Sequence, residues 1–400
     1  MQNTDKIKFL HIESNNFQDF PLGGTLSFSR QLIGQFKGEI ALAGLITDPQ
    51  DPVGKWFRKD IEGVSFHYFG YGRFKKSNKR PVIPIRLKTW FYLLLYLPRI
   101  RALKIRNVFT QSPHLLFALN MFKWDSICFC FAGISNSISN SRYKSLRFLG
   151  DLYERSLFRI LKQKADVILA AADKDAIMEA MTRTKNILGE KQIEFFPTRF
   201  DPNIFYPRDK AECRKILDID KQTLLLVTTG RLSWVKGWQL LSDSVRELVN
   251  KGHKDIKLLF VGDGEDREKI VNYNKYFIDN KIIEIVGHIE QGRIPIYLCA
   301  SDVVVFGSFF EGWPTSMVEA IACGCTIVTT KVSGASEIVI DGETGFIVND
   351  RNPSLFAEMI EKSIDLQGVI EHSVINSRKF SVDRLREDLN RLWLSKILKN

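Results

Sequence analysis

Short apolar runs separated by helical stretches recur along this chain in two series, and that alternation restricts the fold more than any other feature. The first series comprises Lys6 to Ile12, Ile40 to Ile46, Val64 to Phe69, Val108 to Thr110, Ser126 to Phe131, Val167 to Ala171 and Ile193 to Phe196. A proline-rich crossing, FPTRFDPNIFYPRD (Phe196 to Asp209), interrupts the pattern as an interdomain linker does. The second series follows with Thr223 to Thr229, Lys257 to Val261, Ile282 to Val286, Val303 to Phe306 and Thr326 to Thr330. Strands that are apolar throughout are buried on both faces, and strands alternating with helices build a parallel sheet covered on both sides. The expected architecture is therefore α/β, with two Rossmann-like parallel-sheet domains facing each other across a cleft. Residues 1–200 form the first domain, 201–378 the second, and 379–400 a terminal helix packing back on the first.

Charge is unevenly divided between the halves. Residues 1–200 carry a net +14 and residues 201–400 a net −3, so the front half faces something acidic. Arg73 to Arg106 holds eleven cations and no acid, and it encloses Trp90, Phe91, Tyr92 and Tyr96. Two descriptions fit this segment: a surface lying on anionic lipid, or a solvated basic helix packed through its apolar cluster onto its own domain. Nucleic acid is the other acidic partner, but no recognition helix, finger or RNP-like motif is present, so none is expected. The apolar cluster Trp90 to Leu97 is too short to span a bilayer, and the start of the chain lacks a secretory pattern. The six cysteines lack zinc-ligand spacing and fit reduced thiols, which points to a cytoplasmic protein, peripheral on the inner membrane face if the lipid description holds.

The stretch with the most chemistry is Phe306 to Cys325, FGSFFEGWPTSMVEAIACGC. A buried strand runs into a Gly-Trp-Pro-Thr-Ser turn, and Pro314, Thr315 and Ser316 all suit the start of a helix. Backbone N–H groups at such a start favour an anion. Glu311 and Glu319 flank it, and carboxylates there suit hydroxyl groups on a phosphate-bearing sugar or ribose. They equally suit a solvated loop and a helix's first turn.

Other strand ends carry related features. Gly23-Gly24 follows the first strand, where glycines let a ligand approach the backbone. Gly230-Arg231-Leu232-Ser233-Trp234-Val235-Lys236-Gly237 follows the first strand of the second series, and Arg231 and Lys236 could clamp a diphosphate or stand as surface cations. Gly262-Asp263-Gly264-Glu265-Asp266-Arg267 imitates a dinucleotide turn, but Arg267 occupies the third glycine position, which disfavours NAD. Asp218-Ile-Asp220 imitates a metal-binding carboxylate pair but lies in a loop before a strand, so it is taken as surface.

Taken in series, GRLSWVKG, LLFVGDGEDREK, VGHI with IPIYLCASDVVVF, EGWPTSMVEAIACGCTIV and GASEIVIDGETGFIV resemble the donor domain of GT-B-fold retaining glycosyltransferases of the family 4 type (glycosyl transferases group 1). The resemblance covers nearly all of residues 223–350, and the Glu311/Glu319 pair is its most specific part; the first half is matched more loosely.

It implies transfer of a sugar from a nucleoside diphosphate donor to a hydroxyl of a glycan acceptor, in polysaccharide or glycolipid assembly. The basic front half adds the expectation that this acceptor is lipid-linked. Arg231 and Lys236 would hold the diphosphate, and Glu319 the ribose hydroxyls. Glu311 and the backbone of Gly312, Trp313, Pro314 and Thr315 would contact the sugar and phosphates. Gly230 lies at the same strand end, His288 where the family holds the base, and Gly23 and Gly24 would close on the diphosphate. With two cations on the leaving group, neither metal nor cofactor is expected.

One departure stands out. Where many members carry a histidine after the strand matching Ser126 to Phe131, this chain has Ala132, with Ser135, Asn136 or His114 as substitutes. A nucleotide-sugar epimerase or phosphorylase on the same plan, and an inactive nucleotide-sugar-binding scaffold, are the alternative functions.

Overall fold

The computed structural model describes residues 6–21, 24–76, 84–134, 148–189 and 191–397. The chain divides into two compact units: residues 1–198 with 383–400, and residues 199–382.

The first unit is built on eight strands: β1 (Phe9–Ile12), β2 (Ile40–Ile46), β3 (Trp56–Ile61), β4 (Val64–Arg73), β5 (Asn107–Thr110), β6 (Ser126–Phe131), β7 (Val167–Ala170) and β8 (Ile193–Phe195). Their order is β3-β4-β2-β1-β5-β6-β7-β8. All pairs are parallel except β3 with β4, an antiparallel hairpin at one edge. β1, β2 and β6 are buried along their whole length, as their unbroken apolar sequences require. β3, WFRKDI, is hidden in the sequence because it alternates with charge and lies on an edge, where one face meets water. The chain re-enters this unit at Asp383 through a helix, Asp383–Leu389, continued by a π-turn, Asn390–Leu394. Trp393 is fully buried there, with its ring 5.2 Å from Phe9 and its Nε1 donating to Ser126 Oγ at 2.8 Å. Arg386 pairs with Glu39 at 2.6 Å, so this segment is fastened by both burial and charge.

The second unit holds β9 (Leu224–Thr229), β10 (Ile256–Val261), β11 (Ile283–Gly287), β12 (Val303–Phe306), β13 (Ile327–Thr330) and β14 (Gly345–Val348), in the order β11-β10-β9-β12-β13-β14, all parallel. β14, GFIV, is a sixth strand that turn residues on either side disguise. The core of this unit gathers Leu226, Leu241, Phe260, Val303, Val305 and Phe356.

Both sheets reverse their winding once. In the first unit the chain moves outward from β1 and returns to lay β5 beside it; in the second it moves outward from β9 and returns with β12. Where neighbouring connections depart to opposite sides a crevice opens at the carboxyl ends of the strands, and open α/β sheets bind ligands there. The two switch points, β1/β5 and β9/β12, are therefore the places to look for chemistry.

Candidate functional site

At the β9/β12 switch point the loop 230–237 after β9 meets the loop 307–312 after β12. Glycines permit the contact: Gly237 has φ 62°, and a Cβ on it would overlap the Gly307 carbonyl. Phe309 N donates to Val235 O at 2.8 Å, closing the two loops together. Across this seam Lys236 Nζ lies 2.6 Å from Glu311 Oε1, and Ser308 Oγ donates to the same oxygen at 2.6 Å. Ser308 is itself fixed, its carbonyl accepting from Thr330 Oγ1 at 2.6 Å and from Arg351 Nη1 at 3.1 Å. Gly230, Arg231, Lys236 and Ser308 line one narrow crevice of about 20 Å³.

Arg231 and Lys236 share that crevice, yet each faces a different carboxylate. The Arg231 side chain is mostly exposed and pairs with Glu265 at 2.9 Å. Gly230, at φ 134°, faces the Oγ of Ser316. Ser316 belongs to the helix Thr315–Ala322, which has no side-chain cap and starts from Pro314. Glu319 is half-buried on this helix. Desolvation pushes its carboxyl up to about 7, opposed by a hydrogen bond that the Gln291 side chain donates. Trp313 is buried, its ring against Phe380 and Gly334, so its indole is committed to packing.

His288 stands exposed just past β11, two strands from β9 and so about 10 Å across the sheet. Gln291, three residues later, links that segment to Glu319. The glycines of the dinucleotide-like turn serve packing instead, since a Cβ on Gly262 would overlap the Gly230 carbonyl, and one on Gly264 that of Leu232. They let the β9 and β10 loops touch. Asp218 and Asp220 lie in the turn before β9, where Asp220 Oδ1 accepts from Gln222 N at 2.9 Å.

The β1/β5 switch point carries a constellation that the sequence did not reveal. Glu13, directly after β1, is fully buried. Its carboxylate accepts from Ser112 Oγ at 2.7 Å, Thr110 Oγ1 at 3.3 Å and the Gln111 N–H. Burial outweighs these bonds and raises its pKa to about 7. His114, one of the substitutes considered for the missing histidine, sits in the helix Pro113–Leu119. Its Nε2 meets Ser14 Oγ at 2.7 Å and Thr89 Oγ1 at 3.0 Å, and desolvation lowers its pKa to about 3, so it is neutral at physiological pH. Ala132 follows β6 as expected. Gly24 opens the helix Gly24–Phe36 with open space where a Cβ would go. Gly23, Ser135 and Asn136 lie outside the described residues.

Residues 209–380 match the family model described as Glycosyl transferases group 1. That match contains the β9/β12 site and every second-unit residue singled out above. Among curated proteins, the group 1 region is accompanied by similarity to a glycosyltransferase of Methanocaldococcus jannaschii, 26% identical over 245 residues, 60% of this chain and 59% of that one. The capsular polysaccharide biosynthesis glycosyltransferase CapM of Staphylococcus aureus is 28% identical over 240 residues, 56% of this chain and 62% of that one. The chain thus spans less than two thirds of the length of these relatives. The fold extends further: a sucrose-phosphate synthase from Thermosynechococcus elongatus superposes with a TM-score of 0.78 over 98% of this chain and 99% of that one, at 16% identity. HepE from Anabaena, crystallised with UDP-glucose, gives 0.67 over 98% and 99%, at 15%. The architecture is two parallel-sheet α/β domains of the GT-B type.

Proposed function

We propose that the chain is a retaining glycosyltransferase of the family 4 type that moves a sugar from a nucleoside diphosphate donor to a hydroxyl of a glycan acceptor. The observation that carries this reading is the Lys236–Glu311 pair seated at the β9/β12 switch point within the group 1 region. In the reaction the bond between the sugar's anomeric carbon and the diphosphate breaks, a bond to the acceptor oxygen forms, and the hydroxyl proton is released. Negative charge grows on the departing diphosphate. Lys236 and Arg231 stabilise it, and Lys236 exchanges its carboxylate partner for phosphate, which frees Glu311 for the sugar hydroxyls. Glu319 takes the ribose hydroxyls, and the segment from His288 to Gln291 the base end. Because cations of the chain neutralise the leaving group, this reading requires no metal, and turnover is expected to survive EDTA. The neighbour crystallised with UDP-glucose and the capsular polysaccharide relative support a nucleotide sugar and a polysaccharide pathway.

The acceptor is proposed to be lipid-linked, at the cytoplasmic face of an anionic membrane. No helix of the described residues is long and apolar enough to cross a bilayer. The support comes from the helix Ile85–Ile100, which packs through one face and leaves apolar side chains exposed on another. Leu93, Leu97 and Ile100 are buried in the first unit, while Leu87, Phe91 and Leu95 are 56 to 59% exposed at four-residue intervals. Arg86, Arg99, Lys104 and Lys75 are exposed around it. Apolar side chains on a face ringed by cations suit an anionic interface.

The deciding experiment incubates the protein with a panel of nucleoside diphosphate sugars and lipid-linked glycan acceptors and reads product configuration by NMR. A new glycosidic bond with the donor's anomeric configuration supports the reading; inversion, or nucleotide release without a glycoside, refutes it. Flotation with anionic but not zwitterionic vesicles, lost on substituting Leu87, Phe91 and Leu95 by serine, tests the membrane part.

A further inference from the structure

The second unit has another concave feature, at the opposite end of its strands from the crevice above. A cavity of about 550 Å³ opens at the amino ends of β12 and β13, lined by Cys299, Cys323, Cys325, Arg208, Lys210 and Asp302 among others. Three thiols on one cavity wall are unusual in a unit whose remaining cysteine, Cys213, does not line it. They come from two places in the sequence: Cys299 near the end of the helix Ile294–Ala300, and Cys323 and Cys325 just past the end of the helix Thr315–Ala322.

The three differ in their surroundings. Cys299 Sγ lies 3.7 Å from the Tyr206 carbonyl and 3.9 Å from that of Cys323. The neighbouring Cys323 thiol and the Arg208 charge favour the thiolate and hold the Cys299 thiol below its ordinary value, while the Cys299 sulfur and burial push the Cys323 thiol up. Arg208 Nε is buried without a hydrogen-bond partner, so a cation of the cavity wall retains donor capacity. Cys325 is the opposite case, its Sγ 3.3 Å from the Leu298 carbonyl and its thiol pushed up by burial. Cys213 is a further neighbour of Cys299 and does not line the cavity.

We propose that Cys299 and Cys323 form an oxidisable thiol pair that a hydroperoxide entering this cavity converts to a disulfide. The Cys299 thiolate attacks the distal peroxide oxygen. The O–O bond breaks, sulfenic acid forms on Cys299, and the alkoxide or hydroxide leaves and takes up a proton. Cys323 sulfur then attacks the Cys299 sulfur and its proton leaves with the hydroxyl as water. Two thiols are oxidised and one hydroperoxide is reduced to alcohol, or to water if the oxidant is hydrogen peroxide. The inference does not depend on the transferase reading, since neither thiol belongs to the crevice at the other end of the strands.

The test treats the reduced full-length protein with hydrogen peroxide at near-stoichiometric concentration and follows intact mass and peptide maps. The expected result is a loss of about 2 Da that dithiothreitol reverses, mapped to a Cys299–Cys323 crosslink. Cys299→Ser should abolish it and Cys325→Ser should leave it in place, with circular dichroism confirming that both variants fold. Oxygen addition without crosslinking, a crosslink to Cys213 instead, or oxidation of Cys299 no faster than that of the buried Cys128 would overturn the proposal.

Discussion

The loops at the two switch points surround their carboxylates differently. At β9/β12 Glu311 is paired with Lys236, and Arg231 faces Glu265 in water. At β1/β5 Glu13 and His114 are surrounded by hydroxyls, and removal from water pushes both toward their neutral forms. The loops of one crevice carry charge pairs that an anionic ligand can exchange, with Glu319 on the adjoining helix raised by burial as Glu13 is, while the other crevice is built from neutral hydrogen bonds that resist charge. A leaving diphosphate suits the first environment and an uncharged hydroxyl the second. Position in a fold therefore supplies a crevice, while the balance of pairing against burial sets what the crevice accepts.

The largest expected effect separates the two on the charged side. On the proposed reading Lys236→Ala should lower kcat/KM by about 10²–10³, as loss of a donor that acts mainly in the transition state does. The melting temperature should move little, since the pair is part-exposed and Ser308 still holds Glu311. A loss confined to thermal stability would show that the pair only braces the loops.

The next effect tests the neutral side. A carboxyl whose pKa rises on folding stabilises the protein below its unfolded pKa near 4.5 and loses that contribution as pH climbs through about 7. The stability of the wild type relative to Glu13→Gln should therefore fall by roughly 3 kcal/mol between pH 4.5 and 7. Denaturant midpoints across that range read it directly. His11 and His114, with lowered values, act in the opposite sense below pH 6.5 but are common to both proteins and cancel in the difference. A flat difference would mean that Glu13 is ionised in the fold and the contrast fails.

The smallest effect sharpens the charged side internally. A double-mutant cycle on Arg231 and Glu265 should give a coupling of less than about 1 kcal/mol in stability, as for other exposed pairs. A larger value would mean that Arg231 is held by Glu265 and not available to a ligand.

Much of the second unit could be read directly from its residues because its signals are local. VVVF in β12 can only be a buried strand, and Lys236 and Glu311 each stand at the end of a strand. Their pairing, across 75 residues, needed the sheet order. Glu13 is silent for the same reason in stronger form: its partners lie some hundred residues away and consist of common hydroxyl residues whose meaning comes only from burial. Gln291 in a short 3-10 turn, and Ser308 and Arg351 in loops, are further cases, polar residues with no pattern of their own. Gly262 and Gly264 show the converse, a ligand-like spacing, already disfavoured by Arg267, whose glycines serve contact between loops.

That loop contact bears on how such a protein can diversify. Gly237 and Gly307 hold two backbones so close that neither loop can gain a side chain at the seam without moving the other. The main chain beneath the crevice is in effect a shared track. Change over generations is then channelled into the residues that stand on it, among them the half-exposed cluster of Trp234, Phe309 and Phe310. New preferences can be tried there by replacing rings while the rails stay where they are.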